Sequence, residues 1–176
     1  ASLGQLGKQI DGHFVVIASP TRYHVEHAAW VLSKGARAVL VEKPLAINYA
    51  EAKELEPWKD RIAVAFNYRF LVPLRDGMKQ YLEDEGRKVL VISATDDISK
   101  WPGFGPTCYM LDPDQGGVLL TSASHSIDLA ISLLGPASWL VGEITKTGPL
   151  ESAALVRMTH EDGSQSVVDC SWLPAI

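Results

Sequence analysis

His125 lies four residues after Thr121 and three before Asp128, in the stretch that opens at Gly116-Gly117. Spacings of three and four share a helix face, so these side chains can be neighbours, and imidazole is the natural proton carrier near neutral pH. The same spacing also suits a buried histidine held by a hydroxyl and a carboxylate. Lys43, between Glu42 and Pro44, ends an apolar run that reads as a strand. A lysine there either points into the crevice where open α/β sheets bind ligands, or snorkels past the strand end with its charge paired to Glu42. Ser19-Pro20-Thr21 ends the preceding run, as part of the same crevice or as a plain turn in which Pro sets φ. His24 and His27 stand three apart and suit a helix flank better than a metal site. No second His or Cys has zinc-ligand spacing to His125, so no metal is expected.

The elements that must position these residues are readable. Residues 13–19, 37–44 and 61–67 are short apolar runs rich in β-branched residues, the composition of strands buried on both faces. Between them, residues 23–35 predict a helix with Val25, Ala28, Ala29 and Leu32 on one face, stopped at Gly35. Asn48 precedes Glu51 by three, a capping-box pattern that opens a second helix running to about Trp58. Strand and helix alternating through short links imply a parallel sheet wrapped by helices. The pattern changes near Asn67. A helix over 70–85 with Leu74, Met78, Tyr81 and Leu82 on one face is followed by a long strand to Asp97, and residues 97–116 are an irregular connection. A helix over 118–134 and strands at 138–145, 152–160 and 165–173 complete the pattern, the last two joined by a turn at 161–164. The fold class expected is α/β: a partial Rossmann-like parallel sheet (1–67), followed by an α+β domain with a mostly antiparallel open sheet (68–176).

Composition narrows the function classes. The chain has 176 residues with 47% hydrophobic and 21% charged, which excludes a disordered or fibrous protein. A net charge of −5, with scattered positive residues, argues against nucleic acid as a partner. No apolar run reaches the ~18 residues of a membrane span, and the first residues lack the order of a signal peptide. Cys108 and Cys170 form neither a CxxC nor a disulfide framework, which suits a reducing cytoplasm.

Taken together, Ala18-Ser19-Pro20 with His24, Glu42-Lys43-Pro44, Phe66-Asn67-Tyr68-Arg69-Phe70, and Gly116-Gly117 with His125 and Asp128 resemble the Gfo/Idh/MocA family in order and spacing. That resemblance implies an NAD- or NADP-dependent oxidoreductase acting on a sugar, sugar derivative or cyclitol, as a homodimer or homotetramer. It implies that Ser19, Pro20, His24, Glu42, Lys43 and Pro44 lie at the dinucleotide. Lys43 would polarise the reacting oxygen and His125 would exchange the hydroxyl proton. Asn67, Arg69, Thr121 and Asp128 would line the crevice, and the loop with Lys100, Trp101 and Tyr109 would form a substrate rim.

Two departures from the family pattern bear on function. The glycine-rich turn that seats the pyrophosphate, GxGxxG, is not found: the glycines at 4, 7 and 12 follow no strand. The chain therefore reads as the middle of a larger enzyme, with the sheet also ending early. Thr121 stands where many members carry Asp, and a hydroxyl orients an imidazole without stabilising its cation comparably. The alternative reading is a non-catalytic relative, or an inactive fragment of such an enzyme.

Overall fold

The computed structural model describes residues 9–101, 103–105 and 108–173, and of residues 72–75, 79 and 80 the backbone alone. The glycines at 4 and 7, Pro102 and the side chain of Leu74 lie outside the described residues. The chain divides into two compact units, Ala1–Ala65 and Phe66–Ile176, each described by itself.

In the first unit, β1 (Phe14–Ile17), β2 (Ala38–Val41) and β3 (Ile62–Val64) pair in parallel, in the order β1-β2-β3. A single 3-10 turn, Thr21–Tyr23, leads into α1 (His24–Ser33). Val25, Ala28, Val31 and Leu32 of α1 are buried with Ile17, Val39 and Val41 of the sheet. Val31 therefore belongs to the buried face that the sequence assigns in part to Ala29, which is half-buried. The strands are not buried on both faces: Phe14 is 72% and Val16 68% exposed, while their alternates Val15 and Ile17 pack inward. Pleating sends successive side chains to opposite faces, and the core of this unit lies on one of them.

Asn48 caps the next helix as its spacing to Glu51 predicts. Its Oδ1 accepts the Glu51 N–H at 3.0 Å and its amide donates to the Glu51 carboxylate at 3.1 Å. That helix, α2, ends early, covering Tyr49–Lys53 with a 3-10 turn over Glu56–Arg61 beyond it. Pro57 is the reason: its ring would clash with the carbonyl four residues back, at Lys53, the last residue of α2.

The second unit contains α3 (Val72–Glu83), β4 (Val89–Asp97), α4 (Ser124–Leu134), β5 (Ala137–Thr147), β6 (Leu150–His160) and β7 (Gln165–Leu173). Its sheet order is β4-β7-β6-β5. β5, β6 and β7 run antiparallel, and β4 joins parallel to β7. Alternate residues of β6 and β7, namely Ala154, Val156, Met158, Val168, Cys170 and Trp172, form one buried face with Ile98, Met110, Val118 and Ala130. The helix expected over 118–134 is not uniform: Leu119–Ala123 is a π-helical turn that precedes α4.

Candidate active-site residues

In the first unit the residues of interest follow β1 and β2, which end side by side because Ile17 pairs with Val41. His24, the first residue of α1, is 1% exposed. Its Nε2 lies 2.7 Å from the Ser19 carbonyl oxygen and its Nδ1 2.7 Å from the Pro44 carbonyl oxygen. The ring is therefore enclosed between the two loops. His27 places Nδ1 3.0 Å from the Ser19 hydroxyl, and the Tyr23 ring stacks on it at 5.7 Å. The Glu42 carboxylate accepts the Lys43 backbone N–H at 3.3 Å. Ser19, Lys43 and Pro44 are half-buried and Pro20 and Glu42 exposed. A cavity of about 460 Å³ runs beside β1, lined by Ile10, Phe14, Val16, Ser19, His27 and Trp30 among others.

In the second unit, a 3-10 turn over Asn67–Phe70 brings its side chains to α4. The Tyr68 ring stacks on His125 at 4.5 Å and 18°, and Phe66 meets the same imidazole edge-on at 6.1 Å and 82°. Arg69 Nε donates to Asp128 Oδ2 at 2.7 Å, and its Nη2 donates to the other carboxylate oxygen. This two-point contact holds the guanidinium proton more tightly than usual. Thr121 donates to the Gly117 carbonyl at 2.6 Å. So the shared helix face offered by Thr121, His125 and Asp128 is used differently from its simplest form: Asp128 serves Arg69 and the Thr121 hydroxyl caps the turn before it. The π-helical turn departs from the 3.6-residue period on which the Thr121–His125 spacing rests, while His125 and Asp128 both lie within α4.

Three residues beside this cluster carry no sequence signal. Trp172 Nε1 donates to Ser122 Oγ at 2.9 Å, and Ser122 donates to Asp96 Oδ2 at 2.9 Å. They come from β7, the π-helical turn and β4, and nothing in the spacing joins them. Tyr68 could have been found, because it sits inside the Phe66–Phe70 motif. Burial raises the Tyr68 phenol above its ordinary range, and the negative charge of Asp96 raises it further. Of the supposed rim, Lys100 forms an ion pair with Asp97 at 2.8 Å, and Asp97 also accepts from Ser99 at 2.5 Å. Those bonds, Lys100 first, hold the Asp97 carboxyl below its usual range. Trp101 packs against the core of the unit, while Tyr109 and Asn67 are exposed. Among the described residues no group of three His, Cys, Asp or Glu is arranged to hold a metal ion.

Comparison with known proteins adds the ancestry. Residues 2–61 match GFO_IDH_MocA, the oxidoreductase family with an NAD-binding Rossmann fold. Glucose-6-phosphate 3-dehydrogenase of Bacillus subtilis (strain 168) is 41% identical over 61 residues, which is 32% of this chain and 17% of that protein. The apo form of levoglucosan dehydrogenase superposes with a TM-score of 0.82 at 25% identity, over 97% of this chain and 51% of that one. The same enzyme in complex with NADH superposes with a TM-score of 0.77 at 25% identity, over 90% and 47%. The chain thus spans about half the length of these solved structures, and both of its units have counterparts there. Residues 2–61 of this chain are thus similar to the Gfo/Idh/MocA oxidoreductases, a family with an NAD-binding Rossmann fold.

Proposed function

We propose that this chain is part of an NAD- or NADP-dependent dehydrogenase or ketoreductase that moves a hydride between the nicotinamide and a hydroxyl or keto group of a sugar, sugar derivative or cyclitol. The observation that carries this reading is the match of residues 2–61 to an NAD-binding oxidoreductase family, in a chain that also holds Lys43 at a strand end and His125 beneath an aromatic ring. The related B. subtilis protein and levoglucosan dehydrogenase are sugar dehydrogenases by name.

The residues after β1 and β2 fit a dinucleotide. Two parallel strands ending level deliver the Ser19 hydroxyl and the Lys43 ammonium to one end of the sheet, where ligands of open α/β sheets sit. We assign the first unit to the dinucleotide and the second to substrate and to contacts between copies of the chain. The nicotinamide supplies the hydride acceptor or donor. In our reading Lys43 polarises the reacting oxygen, and His125 takes the hydroxyl proton on oxidation and returns it on reduction. Asn67, Tyr109 and the Arg69–Asp128 pair sit at the substrate. The partners are a small sugar-like molecule and further copies of the same chain, with no part for nucleic acid in a chain of net charge −5. Among the described residues no helix is long and apolar enough to cross a membrane. The free thiols of Cys108 and Cys170 support a reducing, cytoplasmic setting.

The test begins with NADH and NADPH binding, followed through the fluorescence of the five tryptophans. Hydride transfer is then assayed with a panel of aldoses, anhydrosugars and inositols. Saturable dinucleotide binding with turnover of at least one panel member is the expected result. Binding without turnover on every member would favour a non-catalytic relative, and no binding of either dinucleotide would sink the reading.

A further inference from the structure

We propose that His24 is a positioning residue that sets Lys43 by clamping the two loops at the strand ends, an inference that rests on the reading of Lys43 as the group acting at the reacting oxygen. His24 is 1% exposed, and both ring nitrogens lie 2.7 Å from backbone carbonyl oxygens, of Ser19 after β1 and of Pro44 after β2. Both neighbours are carbonyl oxygens, which only accept, so the ring donates to at least one of them while its other edge is held against the second. Pro44 directly follows Lys43, and Ser19 holds the hydroxyl that meets His27 at 3.0 Å. One enclosed side chain at the start of α1 thereby fixes the spacing of the loops that carry both groups. A reacting group performs only when neighbouring residues lock its geometry, and a loop lysine has no strand ladder to do that for it. Gln carries both of its donors on a single nitrogen, whereas the two ring nitrogens of His lie on different edges.

Two measurements test this without turnover. In protein labelled with 15N-histidine, the His24 ring should show an N–H proton that exchanges slowly with water, unlike that of exposed His13. A His24 ring N–H that exchanges as fast as that of exposed His13 would overturn the clamp. In His24→Gln, acetylation of Lys43 by acetic anhydride, measured peptide by peptide against exposed Lys59, should rise about fivefold, the factor that loss of one hydrogen bond sets. An unchanged Lys43 to Lys59 ratio in a folded variant would equally overturn it, and if the variant does not fold, the ring spectrum of the native protein decides. A native protein that binds no dinucleotide defeats the enzyme reading but leaves both readouts of the clamp intact, so the two failures are distinguishable.

Discussion

Asp128 accepts both guanidinium N–H groups of Arg69, and that pairing settles more about this cluster than the spacing to His125 does. The Asp128 side chain is 9% exposed and that of Arg69 48%. Removing one partner of a fully buried pair costs about 3–5 kcal/mol, and the exposed Arg69 end lowers that. Asp128→Ala should therefore destabilise the protein by about 2 kcal/mol, read as a shift of the urea midpoint with unchanged slope; a change under about 0.5 kcal/mol would show the pair to be idle. Tyr68 offers a second test. Burial first, and Asp96 second, disfavour its phenolate, so its phenol titrates above the ordinary value of 10.0. The unfolded chain releases that proton first. Its contribution to stability is thus complete below pH 10 and is lost as pH rises through the folded value. Ultraviolet titration should show one of the five tyrosines ionising late, and Asp96→Asn should bring it earlier. At this scale the sequence is informative about residue types and poor about partners. Arg69, Asp128, His24 and Ser19 all stand out in it, but a carboxylate 59 positions from its guanidinium leaves no local trace. The Pro44 carbonyl that meets the His24 ring lies 20 positions away and leaves no local trace either.

The turn before His125 depends on a glycine pair whose members are needed for different reasons. A Cβ on Gly116 would sit 2.1 Å from the Met110 carbonyl oxygen, a backbone atom that cannot swing away; Gly117 has φ +89°, a left-handed conformation that favours glycine. Gly116→Ala should cost about 3 kcal/mol or more and displace the π-helical turn, and thereby the Ser122–Asp96 bond. Thermal unfolding gives the first quantity and loss of the slow Trp172 indole N–H exchange reports the second. An alanine variant as stable as the parent would mean the turn relaxes freely. The same stretch shows where elements are legible. Glycine pair, apolar run and Gly135-Pro136 stop delimit a helix from sequence, and the helix is there. One extra residue in a turn leaves the apolar pattern of 118–134 looking ordinary, so the π geometry could not be read. Asn48 and Glu51 make their cap legible because both partners are local. The neighbour of β4 is not: alternation over 89–97 tells which face is buried, and β7 as parallel partner is decided 76 positions away.

On the scale of the whole molecule, the four-stranded sheet has a core on one face only. The opposite face carries Val89 and Val91 on β4 and Trp139 and Val141 on β5, exposed by 64%, 65%, 56% and 43%. The pairing register lays them in two rows across the sheet, Val89–Gln165–Thr159–Trp139 and Val91–Val167–Arg157–Val141. The two pairs stand on the two outer strands, with Val167 between them beside the polar Gln165, Thr159 and Arg157, so the face carries two apolar patches of the kind that mark an interaction surface. A face that meets its own two-fold copy needs only to be self-complementary, and a sheet surface of this kind satisfies that without a special pocket. We therefore expect the protein to self-associate through this face. Sedimentation at micromolar concentration should give a mass at least twice 19.2 kDa. The double substitution Val91→Lys and Val141→Lys sets like charges on both outer strands of one row beside Arg157, disfavouring any packing of that row against its copy. It should yield a monomer with an unchanged far-ultraviolet spectrum, because both positions lie outside the core. If the variant sediments like the parent, association runs through another surface. A parent that sediments at 19.2 kDa would leave the patches without a partner of their own kind, and the role of the second unit would shrink to holding substrate.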